Sequence, residues 1–222
     1  MTQYIKELIA EGEHQKLDFK FEISDSRKIA KTLVAFANTD GGKLLIGVKD
    51  NGKIAGVRSD EEYYMLEGAA KLYCKPKIVF QVVKWMVEGK AVLEVTIPKS
   101  ERKSYFAEVE PNKWLAFVRV DDENIQASSI HLKVWKKKKH QMGELIAYSE
   151  KERLLLKLLQ KEAFISLDLY CRKAMISRKS AENSLATLIN IGVLDIIFSE
   201  NQFLFRLKNE KTPEPSRLSG CI

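Results

Sequence analysis

Four consecutive lysines give this sequence its clearest potential for binding phosphates. They follow Trp135 in the stretch "KVWKKKKH" at 133–140. The four residues are Lys136, Lys137, Lys138 and Lys139. Such a run can neutralise several phosphates and gives a salt-sensitive, sequence-independent affinity for nucleic acid. The alternative is a solvated linker that its charges keep extended. Of the two interpretations we favour phosphate contact.

Polar side chains near the start of the segment 177–192 are a second candidate group. They are Arg178, Lys179, Ser180, Asn183 and Ser184. Near the N-terminus of a recognition helix, such side chains meet phosphates and base edges. A helix that mediates protein contacts is the alternative, and we predict DNA contact. Lys43, Lys49 and Arg119 are weaker candidates, because lysines at strand edges also serve to block edge pairing.

The stretch "LVAFANTDGGKLLIGV" at 33–48 places two glycines between an apolar helix and an apolar strand. A P-loop requires the opposite order, strand into helix, so that the helix N-terminus faces the phosphates. Here Gly41 and Gly42 follow a helix C-terminus, whose partial negative charge repels phosphate, and Lys43 precedes Leu44 rather than Ser or Thr. We therefore predict a left-handed turn rather than an ATP-binding loop.

Helices and strands alternate in the first 120 residues. "QKLDFK" at 15–20 alternates polar and apolar residues, which places Asp18 and Lys20 on one face of a strand. A helix is predicted after the capping residues 24–26, and "DNG" at 50–52 predicts a hairpin turn. The other predicted elements are strands at 43–48, 53–57, 78–86, 91–97 and 113–120 and a helix at 60–72.

The C-terminal part reads as three helices followed by a hairpin. "SEKERLLLKLLQK" begins with a capping box, and "SLDLYCRKA" and "SRKSAENSLATLINIG" are two shorter helices. "VLDIIFSENQFLFRL" then reads as two strands around a turn. This is the order of a winged helix-turn-helix.

The distribution of charge places the domain boundary. The net charge is +7, yet residues 1–130 carry 20 basic and 20 acidic residues, while 131–140 carry 5 basic and none acidic. We predict a first domain at 1–130, a basic linker at 131–144, a winged helix-turn-helix domain at 145–208 and a disordered tail at 209–222.

Composition excludes several classes of protein. Three cysteines, Cys74, Cys171 and Cys221, lie far apart without a C-x-x-C pair, so neither a disulfide framework nor a zinc site is predicted. The N-terminus lacks the apolar block of a signal peptide, and no apolar run reaches the roughly 20 residues of a membrane helix. We expect a cytoplasmic protein that does not contact membranes.

The motifs of the first domain resemble the Schlafen AlbA-like domain, formerly described as a divergent ATPase domain. The resemblance rests on "LDFK" at 17–20, "VAFANTDGGKLLIGVKDNGKIAGV" at 34–57, "IPKSERKSYF" and "FVRVDDENIQAS". It implies a nucleic-acid-binding α/β (α+β) domain with a mixed sheet and two main helices, of a kind widespread in bacteria and often followed by a winged helix.

The resemblance also implies a possible metal-dependent activity. Eukaryotic members include enzymes that cleave RNA with three carboxylates around a divalent metal, and the matching positions here are Glu13, Asp18 and Asp50. Carboxylates hold Mg²⁺ or Mn²⁺, which polarises a phosphodiester and lowers the pKa of a bound water. Lys20 would then steady the developing charge.

These observations predict a nucleic-acid-binding protein, specifically a homodimeric transcriptional regulator that binds DNA rather than RNA. No cofactor is assigned with certainty, and Mg²⁺ or Mn²⁺ is the candidate. In this hypothesis the lysine run supplies affinity and the third C-terminal helix supplies sequence choice. The first alternative is a Mg²⁺- or Mn²⁺-dependent endoribonuclease that uses Glu13, Asp18, Asp50 and Lys20. The second is a regulator that senses ATP.

Overall fold

The computed structural model describes residues 2–57, 59–101, 104–139 and 149–208. The chain divides into two compact units, Met1–Ser128 and Ser129–Ile222. Each unit has buried apolar clusters of its own. Within the described ranges, no helix is both long enough and apolar enough to cross a membrane.

A four-stranded mixed sheet forms the centre of the first unit. Its strands, in spatial order, are β1 (Leu17–Lys20), β2 (Gly42–Ile46), β5 (Lys90–Ile97) and β4 (Gln81–Val87). β1 and β2 are parallel, whereas β2 with β5 and β5 with β4 are antiparallel. The predicted mixed sheet is therefore confirmed.

Helices cover both faces of this sheet because its side chains alternate between two apolar clusters. Leu45 joins Ile5 of α1 (Thr2–Glu11), while Leu44 packs with the helices α2 (Ser26–Asn38) and α3 (Glu61–Leu72). α2 begins at the predicted capping segment, where the Asp25 side chain accepts hydrogen bonds from two backbone N–H groups. α1 has no counterpart among the predicted elements.

Two smaller sheets complete the first unit. One contains β3 (Cys74–Lys75), β6 (Phe106–Glu110) and β7 (Lys113–Leu115), and the other pairs β8 (Phe117–Val120) with β9 (Glu123–Gln126). The prediction of one strand at 113–120 is wrong, because the chain changes sheets at Ala116. The strand predicted at 53–57 is reduced to a bridge between Val48 and Ile54.

The described residues of the second unit, 129–139 and 149–208, form four helices and a three-stranded sheet. The helices are α4 (Ser129–Lys139), α5 (Glu150–Lys161), α6 (Leu167–Ala174) and α7 (Arg178–Asn190). The strands β10 (Ile165–Ser166), β11 (Leu194–Ser199) and β12 (Gln202–Leu207) pair in the order β10-β12-β11. Three helices before a hairpin agree with the predicted order of elements, and their identification as a winged helix stays a prediction.

The region predicted as a basic linker is largely helical. Residues 131–139 belong to α4, whose side chains Ile130 and Val134 are buried in the apolar cluster of the second unit. An extended linker would leave the Val134 side chain in water, so the burial of this side chain favours the helix. Residues 140–148 and the predicted tail at 209–222 lie outside the described residues.

Candidate nucleic-acid interface and the carboxylate cluster

The glycine pair after α2 forms the predicted turn. Gly41 has φ 69°, and its N–H donates to Phe36 O at 2.8 Å, which closes the end of the helix. A Cβ atom at Gly41 would lie 2.7 Å from Lys99 N, and one at Gly42 would lie 2.6 Å from the Phe36 ring. The two glycines therefore serve the left-handed turn and close packing.

Asn38, just before this turn, ties α2 to two neighbouring segments. Its Nδ2 donates to Tyr105 O at 2.9 Å and Phe117 O at 3.0 Å, and its Oδ1 accepts from Tyr105 N at 2.8 Å. Thr39 Oγ1 accepts a hydrogen bond from Arg119 N at 2.8 Å. These roles of Asn38 and Thr39 were not predicted, although polar residues at the end of an apolar helix were a signal for them.

Arg119 is a core residue rather than a surface contact for nucleic acid. Its side chain is 1% exposed, and its Nη2 lies 3.2 Å from Asp18 Oδ1. The guanidinium also lies over the Phe36 ring at 5.0 Å. Four further acceptors bond to it: Asp121 O, Asn124 Oδ1, His14 O and Leu17 O. The prediction that Arg119 contacts nucleic acid is wrong, because its donors face inward and are used.

Glu13, Asp18 and Lys20 form one cluster at β1. Lys20 Nζ lies 3.0 Å from Asp18 Oδ2, as expected for two side chains on one face of the strand, and 4.0 Å from Glu13 Oε1. Glu13 Oε1 accepts a hydrogen bond from Phe19 N at 2.7 Å. Burial, reinforced by the neighbouring Asp18 carboxyl, raises the pKa of Glu13 to about 7.

These carboxyl groups do not fit the three-carboxylate metal site that the resemblance implies. Asp50 is exposed in the turn after β2. Among the residues that the structure describes, no three His, Cys, Asp or Glu side chains lie close enough together to hold a metal ion. Each oxygen of Asp18 already faces a cation, Arg119 on one side and Lys20 on the other. The cluster is arranged as a set of ion pairs.

Lys43 belongs to a polar network on the α1 side of the sheet. Its Nζ lies 2.6 Å from Glu94 Oε1 and also donates to Tyr4 OH. Trp85 Nε1 donates to Glu94 Oε2 at 2.8 Å. Burial raises the pKa of Glu94, but the hydrogen bonds from Lys43, Tyr4 and Trp85 outweigh it and lower the pKa overall. Glu94 therefore neutralises Lys43, which is a poor candidate for binding phosphate.

The lysine run lies at the C-terminal end of α4. Lys136 and Lys138 are exposed, and Lys137 is half-buried. For Lys136 and Lys138 no ion pair or hydrogen bond appears within the described ranges. α4 contains no acidic residue. Lys136 and Lys138 are therefore available to an anionic partner.

The candidate residues of α7 differ in how available they are. Lys179 is exposed. Ser184, by contrast, is buried at 3% exposure and donates to Glu152, so its predicted contact with nucleic acid is wrong. Ser180 Oγ accepts a hydrogen bond from Lys151 Nζ at 3.3 Å. Arg178 pairs with Asp168, and Asn183 with Lys133.

Comparison with known proteins places the first unit in a family. The family model described as "Schlafen, AlbA_2" matches residues 13–128, more than half of the 222 residues. No curated protein matches the chain.

Two solved structures are similar to this chain at low sequence identity. The DIP2311 protein from Corynebacterium diphtheriae is 19% identical with a TM-score of 0.48, and the match covers 91% of this chain and 42% of that one. The N-terminal domain of an ATP-dependent DNA helicase RecG-related protein from Nitrosomonas europaea is 20% identical with a TM-score of 0.38, covering 66% of this chain and 96% of that domain. This chain therefore spans less than half of the DIP2311 chain.

Proposed function

This chain belongs to the Schlafen AlbA_2 family, and from that premise we propose that it binds nucleic acid, with α4 as its main contact. The observation that carries the proposal is the exposed, acid-free basic end of this helix. Ile130 and Val134 are buried and fix the helix to its unit, so Lys136 and Lys138 are presented from a rigid element. A rigid element loses less conformational entropy on binding than an extended linker would.

Helical geometry limits how many of the four lysines can act together. Successive residues of an α-helix are separated by about 100°, so four in a row surround most of its circumference. One duplex cannot meet all of them. We therefore expect about two phosphate contacts from Lys136–Lys139 rather than four.

The dependence of affinity on salt tests this proposal. Anisotropy of a labelled DNA duplex, titrated with the full chain at several salt concentrations, should show log K falling by about 0.9 per phosphate contact for each unit of log salt. Lys136 and Lys138 lie on opposite faces of the helix, so only one of them can contact a given duplex. We therefore expect the double variant Lys136→Ser/Lys138→Ser to reduce this slope by about 0.9. A slope that the double variant leaves unchanged would rule out α4 as the interface.

A matched control separates local contact from loss of net charge. Lys157 is an exposed lysine on α5 of the same unit. Lys157→Ser removes one charge outside the lysine run and should leave the slope unchanged within the error of the measurement. If the slope fell by the same amount per lysine in the control and in the double variant, binding would depend only on the net charge of the protein.

The finer predictions from the sequence are part of the same proposal. We propose DNA rather than RNA as the partner, a homodimer as the binding species, a cytoplasmic location and a role in transcription. Parallel titrations with DNA and RNA of equal length test the first, and light scattering of the free protein tests the second. Tighter binding of RNA than of DNA would contradict DNA as the partner, and a monomeric mass would contradict the homodimer.

The two alternative activities receive no support from the geometry. The ribonuclease hypothesis requires a shared metal site, whereas Asp18 is held between Arg119 and Lys20. Incubation of structured RNA with the protein and Mn²⁺, with EDTA as control, tests it directly. ATP sensing would require ATP to raise the melting temperature at saturating concentration, because a ligand that binds the folded state stabilises it.

A further inference from the structure

The two edges of the four-stranded sheet differ in how their backbone groups are bonded. β1 forms one edge and β4 the other. Along β1, the N–H of Phe19 donates to Glu13 Oε1 at 2.7 Å. The carbonyl of Leu17 accepts hydrogen bonds from Arg119 Nη2 at 3.3 Å and from His14 N at 2.9 Å. The chain itself therefore bonds the outward backbone groups of β1.

The edge at β4 has no such protection. β4 pairs with β5 along all seven of its residues, from Gln81 to Val87, without a shift of register. Alternate N–H and C=O groups of an antiparallel strand point away from its partner. Within the described ranges, no backbone hydrogen bond joins β4 to a segment other than β5. The outward backbone groups of β4 are therefore open to another strand.

The side chains of β4 also favour pairing. Edge strands are commonly protected by proline, by bulges or by charged side chains. β4 contains neither proline nor a bulge, and its single charged residue, Lys84, lies 3.6 Å from Asp60, which offsets the charge. The side chains of Val83 and Met86 are 47% and 60% exposed. A long, regular edge with exposed apolar side chains is a template for pairing with another strand.

A second copy of β4 fits this edge. In an antiparallel pair around a two-fold axis, each contact between two residues occurs twice. With the axis at Val83, this residue lies opposite its counterpart, Val82 lies opposite Lys84, and Gln81 lies opposite Trp85. No like charges meet in this register. An axis at Lys84 would instead place two lysines opposite each other, which is unfavourable.

We propose that β4 is the interface of a homodimer, in which two copies pair antiparallel around Val83 and join their four-stranded sheets into one continuous sheet. A strongly charged partner strand would meet only one charge along β4, and Asp60 already offsets it. A second β4 supplies the same apolar and β-branched side chains, which are suited to strand pairing. This inference rests on the homodimer of the proposed function and names its contact surface.

Light scattering of the full chain over a range of concentrations tests the interface. We expect the mass of a dimer for the unaltered chain. Val83→Lys places like charges opposite each other at the axis and should raise the dissociation constant of the dimer at least about tenfold. Leu72→Lys is the matched control, because it adds the same charge at a side chain of α3 that is 68% exposed and lies outside the sheet. This control should leave the dissociation constant unchanged, and an equal rise in both variants would overturn the proposal.

Hydrogen exchange of the unaltered chain provides a readout that does not depend on a variant. Pairing of two β4 strands would bond the outward amides of this strand, so their protection should increase with protein concentration. Protection of β1 should stay constant, because the outward N–H of Phe19 is already bonded within the chain. A sample that is dimeric by mass but shows no gain of protection in β4 would overturn the proposal.

The outcomes separate this interface from the proposed function. A dimer whose dissociation constant Val83→Lys leaves unchanged would overturn the β4 interface but not the homodimer. A monomeric mass at every concentration would overturn both and leave the edge of β4 to a strand of another protein. Binding of nucleic acid is measured separately by the dependence of affinity on salt. A dimer that fails to retain a duplex at low salt would overturn the proposed function and leave the interface intact.

Discussion

At the residue scale, the ion pair between Asp18 and Arg119 joins two buried charged side chains of the first unit. Both residues are buried, so removal of the carboxylate leaves the guanidinium charge without its partner. We expect Asp18→Ala to lower the free energy of unfolding by about 3–5 kcal/mol, measured by urea denaturation. Asp50→Ala removes an exposed carboxylate as the control and should change it by less than about 0.5 kcal/mol. Equal effects would contradict a structural role for Asp18.

Glu13 makes the stability of the first unit depend on pH. Its pKa rises from 4.5 to about 7 in the folded state, so between these values the folded chain keeps a proton that the unfolded chain releases. The contribution of this group is fully present below pH 4.5 and is lost as pH rises toward 7. Glu13→Gln should therefore raise the melting temperature at about pH 8 and leave it unchanged near pH 4.5. An equal rise at both pH values would show that charge on Glu13 is not the cause.

At the element scale, the turn between α2 and β2 should depend on close backbone approach at Gly41. Gly12 provides a control, because its φ of 74° is also positive but a Cβ atom there would meet nothing within 4 Å. Both Gly→Ala variants incur left-handed strain of about 1–2 kcal/mol. Gly41→Ala also places a Cβ atom 2.7 Å from Lys99 N. Its free energy of unfolding, measured by chemical denaturation, should therefore fall by about 1–3 kcal/mol more than that of Gly12→Ala. Equal losses of unfolding free energy in the two variants would mean that the backbone around Gly41 moves to accommodate the Cβ atom without cost.

The elements that the sequence predicts well are those determined by neighbouring residues. The alternation around Asp18, the capping of α2 and the reversal at Gly41 follow from local patterns, and all are present. α4 was missed because its C-terminal half is a run of lysines, and the burial of Ile130 and Val134 depends on partners far along the chain. The burial of Arg119 likewise depends on Asp18, about a hundred residues earlier, so its type and local pattern suggested a surface role.

At the scale of the whole molecule, family membership and excess charge lie in different units. The family match ends at residue 128, whereas the acid-free lysine run lies in α4 of the second unit. In the first unit, Lys43 and Arg119 are neutralised by Glu94 and Asp18. Electrostatic attraction to nucleic acid should therefore come chiefly from the second unit.

The two units should also respond to acid in opposite directions. Burial lowers the pKa of His131, which packs against the Phe203 ring at 4.7 Å, from 6.5 to about 4. Between these values the unfolded chain binds a proton at His131 that the folded unit does not bind, so the second unit loses stability as pH falls. Glu13 has the opposite effect, because the folded first unit binds its proton more tightly than the unfolded chain does. From about pH 7 to pH 5, protection factors from hydrogen exchange should fall in α7 and rise in β1. His131→Leu should abolish only the change in α7, and changes of one sign in both units would contradict this assignment.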